Sequence, residues 1–333
     1  MLKNKFFKKL ITLALVASML ASMVACGNKD TAAPNTDTST SVSQSTSNEV
    51  ESPKDETISS PENKKPEDNK TSSASSSTTT QKPKPVEIPK ETRTPEQIQK
   101  DILTSMVNFK NKYNKDVVGY LYFPNTKIND VVLQGKDNDY YLKRDKYGNS
   151  QKNGTAYFAD FRANLTAGKP LSKNTTIYAH SINDNKDGEN FSQLKKLTDF
   201  DFAKDNQFIY FSTPEKGMVW QIFAAFYVKV GDADYLAKNP QYNYIDPNFS
   251  NENMMKVINM AKAGSLYNYN VDVNTKDNIL TLSTCTYHFD KEWKFPNDYR
   301  FVVMAKLLPD GAKQTPAQIT KNENVVMPGK MYR

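Results

Sequence analysis

The chain has 333 residues, of which 38% are hydrophobic and 24% charged, and its formal net charge is +7. This length suits one or two domains with a sizeable core. The basic excess is not gathered in a Lys/Arg-dense block, which argues against a nucleic-acid-binding protein. It fits a solvated lysine-rich surface, with at most a weak preference for anionic polymers or lipid headgroups.

The first 26 residues have the pattern of an export signal. A cationic start, MLKNKFFKK, precedes an uncharged apolar run over residues 10–25. As a helix this run would span about 24 Å, which is short for a hydrocarbon core of about 30 Å. We therefore expect a signal peptide over residues 1–26.

The apolar run ends in Met-Val-Ala-Cys, which resembles a bacterial lipobox with its cysteine at Cys26. The resemblance implies cleavage before Cys26 and lipidation of that residue. An uncleaved signal anchor remains the alternative. Either outcome places the rest of the chain on the extracytoplasmic face of the cell membrane, facing the cell wall.

Residues 27–93 contain no aromatic side chain and are dominated by Ser, Thr, Pro, Lys, Glu, Asp and Asn. Such a composition cannot bury enough apolar surface to offset the entropy of ordering the chain. We predict a disordered tether with a root-mean-square span of roughly 45 Å. It would separate the membrane from one domain over residues 94–333.

The ordered domain is predicted to begin with a helix. Thr94 has the residue type of an N-cap, Pro95 suits the first helical position and Gln97 completes a capping box. Apolar residues at helical spacing are expected to face the core: Ile98, Ile102, Met106, Phe109 and Tyr113.

Short β-rich runs follow, with one helical segment over residues 251–264. The predicted strands are 117–123, 130–134, 155–161, 175–180, 207–212, 218–230, 278–285 and 300–307. Eight strands with few helices and little βα alternation indicate a mainly β fold. We expect a closed or nearly closed β-barrel with helices packed outside it.

Cys285 ends the strand NILTLSTC and is the only cysteine after Cys26. A free cysteine is often a small buried hydrophobe. Alternation puts Cys285 on the more polar strand face, with Thr281 and Ser283. Cys285 can therefore be either a buried apolar side chain or a nucleophile. A metal site is not expected, because the chain has only two histidines to serve as further ligands.

A thiol nucleophile needs a neighbouring base, and His180 and His288 are the candidates. His288 lies in a stretch rich in charge and turn formers, HFDKEWKFPNDY, which is typical of a loop histidine. His180 ends the β run TTIYAH, so it can meet Cys285 at one end of a barrel. Arg300 opens the strand after Cys285, which is expected to pair with the Cys285 strand and bring a cation near the thiol. An ordinary surface arginine is the alternative.

These residues resemble the active-site strands of sortases, and the class B members fit best. The resemblance rests on TLSTC followed by RFVV, and on TIYAHSINDNKDGENFSQL around His180. It also includes residues 125–145 and 265–285, and extends over about 94–308. It implies the sortase β-barrel, with Cys285 as nucleophile, His180 as catalytic histidine and Arg300 as catalytic arginine.

The implied reaction is transpeptidation. The thiolate attacks a carbonyl in the C-terminal sorting motif of a secreted protein, and an amine from a peptidoglycan precursor or another protein resolves the thioester. Ser283 and Thr284 would contact the substrate, and no cofactor or metal is required. A thiol peptidase that hydrolyses the thioester, or a non-catalytic wall-facing binding lipoprotein, remains the alternative.

The sequence departs from the family pattern after the cysteine. The segment 286–299 is longer than expected, and Thr286 stands where some class B members have an acidic residue. A third, acidic catalytic residue is therefore unassigned, with Asp290 as a weak candidate. The lipobox-like Cys26 also differs from the uncleaved anchor of most sortases.

Overall fold

The computed structural model describes residues 88–231, 233–292 and 298–332. The predicted signal peptide with Cys26, and residues 27–87 of the predicted tether, lie outside these ranges. The helices are α1 (Pro95–Lys112), α2 (Phe200–Asp205), α3 (Ala233–Lys238) and α4 (Asn251–Gly264), with 3-10 helices at Phe191–Thr198 and Pro240–Tyr242. None of the helices in the described part is long and apolar enough to cross a membrane.

Twelve strands are present in the described ranges. They are β1 (Val117–Tyr122), β2 (Asn129–Leu133), β3 (Tyr157–Ala159), β4 (Asn174–Tyr178), β5 (Ser181–Ile182), β6 (Glu189–Asn190), β7 (Phe208–Ser212), β8 (Val219–Lys229), β9 (Tyr267–Tyr269), β10 (Ile279–Cys285), β11 (Tyr299–Leu307) and β12 (Ile319–Lys321).

Eight of these strands form a closed barrel in the order β1-β2-β3-β4-β10-β11-β8-β7, with β7 returning to β1. The pairs β2–β3 and β4–β10 are parallel, and the others are antiparallel. The predicted mainly β fold with a closed eight-stranded barrel is thus confirmed. Each predicted strand corresponds to one barrel strand, although β3 is shorter than the predicted run 155–161.

Helix α1 begins at the predicted cap. The Gln97 amide donates to Thr94 Oγ1 over 3.3 Å, and the Thr94 amide donates to Gln97 Oε1 over 2.8 Å. Ile98, Ile102 and Met106 are buried, as the spacing predicted. Tyr113 is 51% exposed, because it lies past the end of the helix at Lys112, and its ring packs against Phe109 and Tyr147.

The barrel core is filled by large apolar side chains at close packing. Trp220 of β8 is fully buried, and its indole N–H donates to the Phe211 carbonyl over 2.9 Å. The Phe211 ring also lies over Gly119 of β1, where an added Cβ would come within 2.4 Å of Phe211 Cε2. A glycine is needed there so that β1 and β7 can close the barrel.

Several elements were not predicted from the sequence. Strands β5 and β6 form a two-residue pair directly after β4, and β9 pairs with β12 outside the barrel. The 3-10 helix Phe191–Thr198 is buried along most of its length. These elements are too short or too irregular to show a hydrophobic period in the sequence. They are stabilised by tertiary packing.

Residues 88–93, within the range predicted as tether, contact the barrel. The Glu91 amide donates to Asn125 Oδ1 over 2.9 Å, and the Tyr122 hydroxyl donates to the Glu91 carboxylate. Arg93 pairs with Glu91 and, over 2.9 Å, with Asp101 of α1. This segment therefore joins α1 to β1.

Candidate active site

Three adjacent barrel strands bring the predicted catalytic residues to one end of the barrel. Cys285 is the last residue of β10 and pairs directly with Arg300 of β11. Residues opposite each other in an antiparallel pair have Cβ atoms about 4.5–5.5 Å apart and share a face. The arginine is thus held beside the thiol by the sheet itself.

His180 follows β4, which flanks β10 on the side opposite β11, and it lies at the same height along the barrel as Cys285. Strand β4 runs parallel to β10 with Tyr178 beside Ser283, so two further residues along each chain lead to His180 and Cys285. The strand ends at Tyr178, two residues earlier than the run 175–180 predicted. Beyond that end the Thr284 hydroxyl donates to the Ala179 carbonyl over 2.7 Å, which maintains the register.

The imidazole of His180 is half-buried and has a defined partner. Its Nε2 lies 2.7 Å from the Leu142 carbonyl oxygen. A carbonyl only accepts, so Nε2 carries a hydrogen in this arrangement. The contact fixes the tautomer and the ring plane, as in other sites where one ring nitrogen orients the other.

Ser283 and Thr284, predicted to contact substrate, are both buried. The Ser283 hydroxyl lies 3.0 Å from the Tyr244 hydroxyl, and the Thr284 hydroxyl is held by Ala179. Burial raises the pKa of Tyr244, and the Arg300 cation opposes this shift. Tyr244 therefore covers the strand face that carries Ser283, leaving Cys285 half-exposed at the end. No pattern in the sequence singled out Tyr244.

His288 lies close to the site without being level with the thiol. Its Nδ1 is 3.2 Å from the Tyr227 hydroxyl, and its carbonyl accepts the Tyr332 amide over 2.8 Å. The Asp290 carboxylate accepts the Glu292 amide over 2.9 Å, within its own turn. The predicted insertion 286–299 lies partly outside the described residues, at 293–297.

Asp184 is an acidic residue that contacts the segment after Cys285. It is 5% exposed and has a positive φ of 42°, in the connection after β5. Its Oδ2 accepts the Tyr287 amide over 2.8 Å and lies 3.8 Å from His288 Nε2. The sequence analysis did not identify Asp184, because it is 101 positions away from Cys285 along the chain.

The site has the groups for acyl transfer through a thiol. A thiolate, a histidine at the same level and a guanidinium across the strand pair are what such a reaction needs to form and stabilise a tetrahedral oxyanion. Within the described ranges no cluster of three or more His, Cys, Asp or Glu side chains has the arrangement of a metal site.

Comparisons with known proteins agree with this geometry. The sortase domain family matches residues 121–308. Sortase B of Listeria monocytogenes is 33% identical over 198 residues, which cover 59% of this chain and 72% of that protein. The Staphylococcus aureus sortase B–substrate complex superposes with a TM-score of 0.51 at 28% identity, covering 65% of this chain and 94% of that one. Clostridium perfringens sortase B gives a TM-score of 0.50 at 29% identity, covering 61% and 99%.

Proposed function

Because this chain belongs to the sortase family and matches its class B members, which are cysteine transpeptidases, we propose that it cleaves a C-terminal sorting motif through Cys285. The observation that carries the residue assignment is the strand register. Cys285 stands opposite Arg300, and β4 delivers His180 to the same level.

In the first half-reaction His180 carries the proton that the Cys285 thiol has lost, and the resulting thiolate attacks a backbone carbonyl carbon of the motif. The carbonyl electrons move to oxygen, and the Arg300 guanidinium donates hydrogen bonds to that oxyanion. As the oxyanion collapses, the C–N bond breaks and the leaving amine takes a proton from His180. The products are a thioester on Cys285 and the released C-terminal fragment.

In the second half-reaction an amine of a cell-wall precursor or of another protein attacks the thioester. His180 accepts the proton that the amine loses, and the thiolate of Cys285 leaves. The secreted protein is thereby joined to the amine through a new amide bond. The S. aureus relative has been solved in complex with a substrate, which supports substrate binding by this chain.

The test is to mix the full-length chain with a panel of sorting-motif peptides and an amine, and to follow products by mass spectrometry. We expect a peptide adduct on Cys285 and an amine-ligated product, both absent in Cys285→Ala. Free acid as the sole product, with amine in excess, would identify a thiol peptidase. No adduct with any peptide would contradict the nucleophile assignment and favour a binding protein.

We also propose that this enzyme acts on the extracytoplasmic face of the membrane, carried by lipid on Cys26. The support is the cationic start, the short apolar run and the lipobox-like ending of the first 26 residues. Lipid would hold the catalytic domain near the wall precursors that supply the amine.

A further inference from the structure

A buried ion pair lies beneath the candidate site. Lys195, on the 3-10 helix Phe191–Thr198, contacts the Asp184 carboxylate, and their side chains are 2% and 3% exposed. Two charges are costly to remove from water unless they are paired and their remaining hydrogen-bonding positions are filled. The catalytic steps described above do not use either residue.

The pair has further hydrogen-bond partners on two segments. The Lys195 ammonium also donates to Ser181 Oγ over 2.9 Å, and that hydroxyl donates to Asp184 Oδ1 over 2.9 Å. Asp184 Oδ2 accepts the Tyr287 amide and, over 3.4 Å, the Thr286 hydroxyl. Ser181 directly follows His180, and Thr286 directly follows Cys285. The pair thus joins the chain after the base to the chain after the nucleophile.

The ammonium also lies near the thiol, because its partner Asp184 binds Thr286 and Tyr287, the two residues that follow Cys285. Burial lowers the pKa of Lys195 to about 7, and negative charge on Cys285 opposes that shift. The other ionisable groups around the pair and the thiol include His180 level with Cys285, Arg300 opposite Cys285 on β11, Tyr244 against Ser283, and His288 beside Asp184.

We propose that Lys195 is a charged positioning residue for this reaction: its buried ammonium, held by Asp184, supplies positive potential at the Cys285 sulfur. Asp184 in turn fixes the segments that follow His180 and Cys285. This inference rests on the proposed role of Cys285 as the nucleophile.

The test measures the potential at the sulfur with two methanethiosulfonate reagents, one carrying a sulfonate and one a trimethylammonium group. Each transfers its thioalkyl group to the thiolate and releases methanesulfinate, so the thiolate fraction cancels in the ratio of their rate constants. The full-length chain is used at about pH 6, where Lys195 is protonated because the pH lies below its pKa. Peptide mapping separates reaction at Cys285 from reaction at Cys26.

We expect the two variants to shift the anionic-to-cationic rate ratio in opposite directions. Lys195→Met removes the positive charge and should lower the anionic-to-cationic rate ratio about fivefold. Asp184→Asn keeps the side-chain shape and removes the negative charge. It should raise the ratio relative to the wild-type protein when both are measured again at about pH 5, where Lys195 stays protonated without its carboxylate partner. A purely structural role would leave the ratio unchanged or move it in the same direction in both variants, and either result overturns the proposal. If Lys195→Met does not fold, the rate ratio measured for Asp184→Asn is sufficient to test the proposal.

A matched control lies at the other end of the same strand pair. Asp277 contacts Lys306 over 3.5 Å and accepts the Asn274 amide over 2.8 Å, so it resembles Asp184 in its partners. The start of β10 is about 20 Å from Cys285 along the strand, and Asp277→Asn and Lys306→Met should leave the ratio unchanged.

Two kinds of failure are distinguishable. If Cys285 reacts in the wild-type protein but the ratio is the same in all variants, the inference is wrong and the nucleophile assignment stands. If neither reagent modifies wild-type Cys285, the nucleophile assignment fails and the inference fails with it.

Discussion

Thr284 shows how one hydroxyl connects the two halves of the candidate site. It is buried, and it donates to the carbonyl of Ala179, the residue before His180. Strand β4 ends at Tyr178, so Ala179 lies just past the last residue paired with β10. The distance between thiol and imidazole therefore depends on this side chain as well as on the sheet.

We expect Thr284→Val to affect both stability and turnover. The change leaves the Ala179 carbonyl without its donor, which should lower the free energy of unfolding by about 1–2 kcal/mol. Turnover of the folded protein should fall about tenfold or more, because small misplacements of reacting groups are costly. Chemical denaturation and the peptide–amine assay measure the two effects.

Thr281→Val is the matched control. Thr281 is fully buried on the same strand, and its hydroxyl donates to Asn174 Oδ1 over 2.7 Å. It lies about 13 Å from Cys285 along β10. A similar loss of stability with unchanged turnover is expected. Equal losses of turnover in both variants would show that Thr284 has no special positioning role.

Among the site residues, the sequence identified those that strand patterns and chain order indicate. Cys285, His180 and Arg300 each lie at or near the end of a β run, so the sequence could bring them to one barrel end. Tyr244, Asp184 and Lys195 belong to irregular or 3-10 segments, which show no period. Their proximity to Cys285 arises from long-range packing, which a single sequence does not display.

Among the elements, the parallel pair β4–β10 matters most for the site. Antiparallel neighbours such as β10 and β11 follow each other closely in the chain, so their pairing could be predicted. Strands β4 and β10 are separated by about 100 residues that include β5 to β9. Only the closed barrel places them side by side and so brings His180 level with Cys285.

The contact of the N-terminal segment 88–93 with the barrel is expected to depend on pH. Hydrogen bonds from Arg93 are the main cause that lowers the pKa of Glu91 from 4.5 to about 2, with Tyr122 contributing. A depressed carboxyl pKa stabilises the fold above the unfolded-state value, and this stabilisation is lost as pH falls from about 4.5 through about 2.

We expect Glu91→Gln to be less stable than the wild-type protein by about 1 kcal/mol near neutral pH, since solvent around Arg93 screens the pair. The difference should shrink as pH falls below about 4.5 and be mostly lost near pH 2, where about half of the wild-type carboxyl is protonated. Thermal denaturation from pH 2 to 7 measures it. Glu252→Gln, which removes an exposed pair with Lys256 on α4, should have a smaller effect. A pH-independent difference for Glu91→Gln would contradict the argument.

For the whole molecule, the sequence divides the chain by composition. Residues 27–93 lack aromatic side chains, whereas the barrel that follows is built around Trp220, Phe211 and Phe226. The division into signal peptide, tether and catalytic domain stays a prediction over residues 1–87. Its functional meaning depends on whether Cys26 is lipidated.

Lipidation can be tested by expressing the full chain in a bacterial host that processes lipoproteins, with an azide-bearing fatty acid in the medium. We expect labelled wild-type protein in the membrane fraction, with Cys26 as its first residue. Cys26→Ser should be unlabelled, whereas Cys285→Ala, which removes the other cysteine, should be labelled like the wild type. Unlabelled wild-type protein that retains Met1 and stays in the membrane would indicate an uncleaved signal anchor instead.

The sequence by itself determined the barrel class, the capped first helix and the strands that carry Cys285, His180 and Arg300. Period-two patterns, cap residues and chain order are local properties, and they were sufficient for these features. The tertiary structure alone decided the level of His180 against Cys285, the cover formed by Tyr244 and the buried pair of Lys195 with Asp184. These features depend on closing a barrel through strands distant in sequence, and on filling the hydrogen-bonding positions of charges that the closed barrel buries.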